Sequence, residues 1–483
     1  MTQRAIVLFL TLVILSSRLP VFSSNATDFF GDERHYSELI NALNQSSANQ
    51  NYMIAVHKLF SLNARPGLGL LYYPAALLEW KNPGVPFGLF FNLIINSFSM
   101  IFIYLIIQKS YNRRSAIAAT LFVTFSITSI VYMRHLIPYD LALFLFLFGL
   151  YIYVYFNKLF IFGLFVGLSF LTYPGYYYYL IPLPFILLGY YRSLKKTFIF
   201  LLGFGIILLL THLFSLLLGE TTTYFQSLKY ESAGAATANY GEFIPAASYI
   251  KEYILSADGF WNIFLLLVIF PGMFLTRDKK RITLFIYLVS LFFILEIYSN
   301  TLQKTVLFGR TIRPFYLATL ILSALVLESL LSRFKNKKYY NFGMGILIVM
   351  TLFNFLPKFL TFKNLIYPKQ FEQKAKEYLN SKYGDYILEN AIFVNYWDTK
   401  DPPNNFYKTA ESGKFYTVNA VQMFPYFGNY NLDRFCNHEI LLKELHIQYI
   451  FKPYLFEGHK RVMRERMDQD PLYYFLIYCK SKI

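Results

Sequence analysis

Charge is scarce in this chain. Only 15% of its 483 residues are Asp, Glu, Lys or Arg, where soluble domains carry about 25%. A chain this poor in charge lacks the surface that water requires. Cysteine is scarcer still, with Cys436 and Cys479 the only two. That count excludes a disulfide-dense scaffold and a multi-cysteine metal module. It leaves open either one disulfide, in an oxidising compartment, or two free thiols. Several signatures are missing as well: the sequence contains no Gly-x-Gly-x-x-Gly, no P-loop, no His-Glu-x-x-His and no nucleophile elbow. Dinucleotide enzymes, P-loop NTPases, zincins and α/β-hydrolases are therefore not expected. No internal repeat or low-complexity tract occurs, which argues against solenoid architectures.

What is present is apolar: 56% of the residues are hydrophobic and 20% aromatic. Runs long enough to cross about 30 Å of hydrocarbon recur along the chain. The formal charge of +17 does not point to nucleic acid, because the basic residues cluster in short connectors between apolar runs. Lys109, Arg113 and Arg114 form one cluster, and Arg192, Lys195 and Lys196 another; Arg277 to Arg281 and Arg333 to Lys338 form two more. This is the positive-inside pattern. Placing each connector in the cytoplasm predicts eleven spans, at roughly 5–22, 86–107, 115–133, 139–156, 159–173, 176–190, 198–218, 259–276, 282–299, 312–332 and 340–360. The expected fold is an α-helical polytopic membrane domain over 1–360 with outer loops at 24–85 and 219–258. A small extracytoplasmic α/β domain over 361–483 follows, where helix-like and β-like stretches alternate. The first segment also fits a cleaved signal peptide, although Arg18 and Pro20 weaken that fit. Either way the 24–85 loop stays outside.

Chemistry is expected where ionisable groups meet the membrane, because such groups are costly there. Asp32 and Glu33 adjoin each other in Gly31-Asp-Glu-Arg-His-Tyr36, just beyond the first apolar run. Asp140 opens the fourth span, Glu296 ends the ninth, and Arg310 and Arg313 lead into the tenth. Topology places them on the same side as Asp32, Glu33 and Arg65. Carboxylates and guanidiniums on one rim suit a reaction at a phosphate. Arginine grips phosphate with paired hydrogen bonds, and a carboxylate can take the proton of an attacking hydroxyl. The plainer reading is a set of interfacial charges snorkelling to the headgroups, which short carboxylates such as Asp140 do poorly. Tyr176 to Tyr179 reads either as an aromatic belt or as a wall for a sugar or an isoprenoid. Asp468-Gln469-Asp470 matches a short metal signature but lies at an expected helix end, on the side away from nucleotide-sugars.

The order of these features resembles the GT-C class of membrane glycosyltransferases, especially bacterial protein O-mannosyltransferases and lipid A aminoarabinose transferases. Asp32-Glu33 with Tyr36 sits where that class has its acidic pair. Arg65-Pro66-Gly67-Leu68 is similar to its Lys-Pro-Pro-Leu segment, with Arg for Lys and Gly for the second Pro. Arg113-Arg114, Asp140, the Gly163-Leu-x-x-Gly167-Leu helix and Arg313-Pro314 follow in the family's order, while Tyr173 stands where many relatives place Lys.

The resemblance implies a sugar transferase using a polyprenyl-phosphate donor on the outer face of a cell (inner) membrane. Its acceptor would be a glycan, glycolipid or protein. Asp32 would be the base, with Glu33 assisting or helping to hold a divalent cation such as Mg²⁺ or Mn²⁺ if one is needed. Asp140 would orient the substrate, Arg65, Arg313 and Arg310 would hold the donor phosphate, and Tyr36 and Tyr176 would contact substrate. A polysaccharide polymerase or ligase, and a lipid or sugar flippase, remain the alternatives. The flippase is disfavoured by the lack of two-fold internal symmetry.

Overall fold

A computed structural model describes residues 2–22, 65–70, 85–130, 133, 138–219, 223–229, 245–275, 278–303, 307, 309–334, 336–363, 391–394 and 415–418. The contact pattern divides the chain into two units. The first comprises 1–24, 33–239 and 243–363; the second comprises 25–32, 240–242 and 364–483.

The first unit is helical. In chain order its elements begin with α1 (Gln3–Phe22), α2 (Val85–Ser110), α3 (Arg113–Thr124), α4 (Ile127–Ile130), α5 (Tyr139–Phe156) and α6 (Leu159–Thr172). After α6 come α7 (Tyr177–Leu180), α8 (Leu183–Tyr191), α9 (Leu194–Leu217) and α10 (Ala246–Ala257). The last are α11 (Phe260–Leu267), α12 (Ile269–Phe274), α13 (Lys279–Glu296), α14 (Gly309–Leu331) and α15 (Lys337–Lys363). Seven helices among the described residues are long and apolar enough to cross a membrane, and α6 and the α11–α12 pair are shorter apolar segments. Large apolar side chains stand exposed along α9 (Phe198, Leu209, Leu210) and α15 (Phe342, Phe353). Water would reject that surface, whereas hydrocarbon accepts it. The chain is a helical, multi-pass membrane protein.

Local chemistry sets the helix ends. Asn112 caps α3, its side-chain oxygen accepting from the Ser115 amide at 2.9 Å, and Ser193 caps α9 in the same way through Lys196. Asn157 closes α5 in the left-handed conformation, φ 54°, which Asn tolerates better than most residues.

Three of the expected spans are broken. The 115–133 span ends at Thr124 and restarts as the single turn α4. Ser126, Thr128 and Ser129 lie there, and hydroxyl side chains compete with helical hydrogen bonding. The 176–190 span is a 3₁₀ turn at Pro174–Tyr176 followed by α7 and α8, with Pro182 preceding the second helix. The 259–276 span breaks at Val268 because Pro271 lacks an amide hydrogen and its ring clashes with the carbonyl of Leu267, where α11 ends.

Packing runs through neighbouring pairs: α1 on α2, α2 on α3 and α5, α5 on α6, α6 on α9, and α3 on α14. At the α6–α9 crossing the two backbones approach closely. A side chain at Gly163 would run into the Phe200 carbonyl, and one at Gly203 into the Phe160 carbonyl. Gly163 and Gly167 form the small-xxx-small spacing that lets membrane helices meet backbone to backbone.

In the second unit the described residues are two strands, β1 (Ala391–Val394) and β2 (Phe415–Val418). They pair in parallel with Ala391 opposite Phe415 and Val394 opposite Val418. The helices expected in 361–483 beyond Lys363, and both cysteines, lie outside the described residues.

Candidate functional site

A cluster of polar side chains lies deeply buried in the helical unit. Arg313, in the second turn of α14, and Asp140, in the first turn of α5, are 0% and 2% exposed. Arg313 Nη2 donates to Asp140 Oδ1 at 2.5 Å. The same carboxylate oxygen accepts from Asn96 Nδ2 of α2 at 3.1 Å. Asn96 Oδ1 in turn accepts from Arg18 Nε of α1 at 3.1 Å, and Arg18 is also fully buried. Two guanidiniums, one carboxamide and one carboxylate thus join α1, α2, α5 and α14. Asp140 Oδ2 has no hydrogen-bond partner among the described residues.

The break between α3 and α4 explains why two arginines belong here. An interrupted helix frees carbonyls that must be satisfied within the bundle. Arg18 Nη1 donates to the Thr124 carbonyl at 3.0 Å. Arg313 donates to the carbonyls of Thr128 and Ser129, both at 3.0 Å, and the Asn96 amide reaches Ser129 O at 2.7 Å. The opposite end of α4 is held by an anion. Asp258, preceding α11, accepts from the Ser126 hydroxyl at 2.7 Å and the Thr128 hydroxyl at 2.9 Å, and from the Ile127 amide. Burial pushes the Asp258 carboxyl above its usual range, and these hydrogen bonds oppose the shift. Anion at the amide end and cations at the carbonyl end follow the polarity of a helix.

A chain of aromatic rings leads from the ion pair to Arg65. Tyr176 is buried beside Arg313. Its ring meets Tyr173 edge-on at 4.9 Å, and Tyr173 meets Tyr139, the neighbour of Asp140, at 4.7 Å. The Arg65 guanidinium lies over the Tyr173 ring, 5.5 Å from its centre. Gly67 fits tightly against Thr172, since a Cβ there would come within 2.5 Å of the Thr172 hydroxyl. The segment around Arg65 is therefore docked on the end of α6.

Of the residues expected from sequence to form a site, Arg65, Tyr176, Asp140 and Arg313 come together. Arg313 serves the Asp140 carboxylate and the two carbonyls through Nε and Nη2, and Nη1 lies outside those bonds. Glu296 stands apart: it caps α10, accepting from the Ala246 amide at 2.6 Å and from Asn300 Nδ2 at 2.8 Å. Arg310 lies in the first turn of α14, with its side chain outside the described residues, as are Asp32, Glu33 and Tyr36. Tyr176, Tyr178 and Tyr179 are buried rather than displayed as a belt. Tyr179 donates its hydroxyl proton to the Thr311 carbonyl, pinning α7 to the start of α14. Among the described residues no cluster of three His, Cys, Asp or Glu side chains could hold a metal ion.

Sequence reasoning missed Asn96 and Arg18. Arg18 carried a signal, being an arginine inside an apolar helix; Asn96 carried a weaker one, a carboxamide in a span. No protein-family model matches the chain, and no curated protein matches it.

Proposed function

We propose that the chain is an inverting glycosyltransferase of the GT-C type, moving a sugar from a polyprenyl-phosphate donor to an acceptor hydroxyl at the outer membrane face. The observation that carries this reading is the continuity from Arg65 through Tyr173 and Tyr176 to the Arg313–Asp140 pair. Arg65, Asp140 and Arg313 were nominated by motif order and are far apart in sequence, and the two tyrosines link them in space.

On this reading Asp32 removes the acceptor proton, and the acceptor oxygen attacks the anomeric carbon. The bond from that carbon to the phosphate oxygen breaks, releasing polyprenyl phosphate with inversion at the sugar. Arg65, cationic and stacked on Tyr173, offsets charge gathering on the leaving phosphate, an electrostatic role that often dominates such catalysis. Arg310 assists from the start of α14. Asp140 keeps one oxygen for Arg313 and Asn96 and offers the other to a sugar hydroxyl, while Arg313 positions it. Glu33 supports Asp32.

The test is transfer of label from radiolabelled polyprenyl-monophosphate sugars in membranes containing wild type or Asp32→Asn. Transfer by wild type, lost in the variant at equal expression, is expected. Absence of transfer from every donor would sink the proposal, and transfer that survives Asp32→Asn would move the base to another carboxylate.

A further inference from the structure

The opposite end of α6 carries different chemistry. Fourteen residues of helix, about 21 Å, separate Thr172 from Leu159. Around Leu159 a cavity of about 440 Å³ opens between α6, α8 and α9, lined by Lys158, Lys196, Tyr191 and apolar residues including Leu159, Phe160 and Ile199. Lys158 and Lys196 are both exposed. Lys196 Nζ stands 4.3 Å from the centre of the Tyr191 ring. Tyr190 meets that ring edge-on at 5.1 Å, and Lys279 of α13 stands over Tyr190 at 4.6 Å while donating to its carbonyl at 2.9 Å. Lys196 and Lys279 thus each stand over one of two adjoining tyrosines, Lys158 lines the cavity beside Lys196, and no carboxylate lines it among the described residues.

We infer that this cavity binds the phosphate of an anionic phospholipid headgroup. The charge is complementary to a phosphodiester, and the apolar wall suits the start of an acyl chain. Phe156, Leu194 and Phe198, adjacent in sequence to the cavity residues, are 59%, 75% and 63% exposed. The cavity thus adjoins the surface that faces hydrocarbon. A soluble phosphate would gain nothing from such walls. The site lies at the basic-connector end of the bundle, where anionic lipids attract lysines, and it is independent of the transferase reading.

The experiment is native mass spectrometry of the full-length, detergent-purified protein titrated with phosphatidylglycerol or phosphatidylcholine. Lys158→Gln/Lys196→Gln is compared with Lys337→Gln/Lys338→Gln, which removes the same charge from another connector. Phosphatidylglycerol is expected to bind the first variant about 30-fold more weakly, equivalent to roughly 1 kcal/mol per lysine, and the second variant like wild type. Lys158→Arg/Lys196→Arg should retain binding, which separates loss of the site from loss of the fold. Equal weakening in both Gln variants would mean diffuse attraction and overturn the site. Equal binding of the two lipids, or full displacement by millimolar inorganic phosphate, would overturn the assignment to an anionic lipid.

Discussion

Asp140 and Arg313 are 173 residues apart in sequence and meet at 2.5 Å in the interior of the helical unit. Both side chains are buried, so each relies on the other for compensation of its charge. A buried pair of this kind contributes little net stability when intact, yet breaking it leaves an uncompensated charge.

Asp140→Ala and Arg313→Ala should each destabilise the protein by about 3–5 kcal/mol. The double variant Asp140→Leu/Arg313→Met should be less destabilised than either single change. Thermal unfolding in detergent measures all three; additive losses would mean that the two side chains are not coupled.

Asp258 satisfies two hydroxyls and one amide around α4. Asp258→Ala removes the acceptor of the Ile127 amide and the Ser126 hydroxyl, at about 1–3 kcal/mol. Hydrogen exchange at the Ile127 amide should rise above that of α3 in this variant. Unchanged protection would remove Asp258 from its role as anchor of α4.

Gly163 and Gly205 offer a paired comparison. The Cβ position of Gly163 is blocked by the Phe200 carbonyl, while nothing lies within 4 Å of that of Gly205. Gly163→Val should force α6 and α9 apart and reduce the yield of folded protein several-fold. Gly205→Val should be tolerated. Size-exclusion profiles at matched expression decide the matter.

Arg65 stacks on Tyr173. If the transferase reading holds, Arg65→Gln should lower kcat/KM for the donor by about 10–100-fold, the range for losing a charged hydrogen bond. Tyr173→Leu should cost less, about 5–30-fold, since a cation–π contact on a buried ring contributes about 1–2 kcal/mol. A larger effect at Tyr173 than at Arg65 would reverse their proposed roles.

Composition and hydropathy made the membrane class legible, because apolar segments such as Leu194–Leu217 have no other solvent. Asp140 and Arg313 stood out in sequence since charge at a span end is costly. Helix breaks were harder to see. Pro271 announces one in the sequence, but the break at Phe125 depends on Asp258, Arg18 and Arg313 supplying partners from distant positions. Arg18 illustrates the same limit. Beside a possible cleavage site it argued about processing, and only the placement of Asn96 and Thr124 around it reveals a packing role. Tyr173 departed from the resembled pattern, and its contact with Arg65 could not be read from either segment alone.

The interrupted α3–α4 segment has a consequence for biogenesis. Its carbonyls and hydroxyls are completed by Asp258 and Arg313, which leave the ribosome more than a hundred residues after Ser126. Until then, nascent α1 to α6 hold an unfinished polar seam in the bilayer. Late insertion of α14 is therefore the step that seals the bundle, and a chain truncated before Gly309 should be retained by membrane quality control rather than accumulate as a stable fragment.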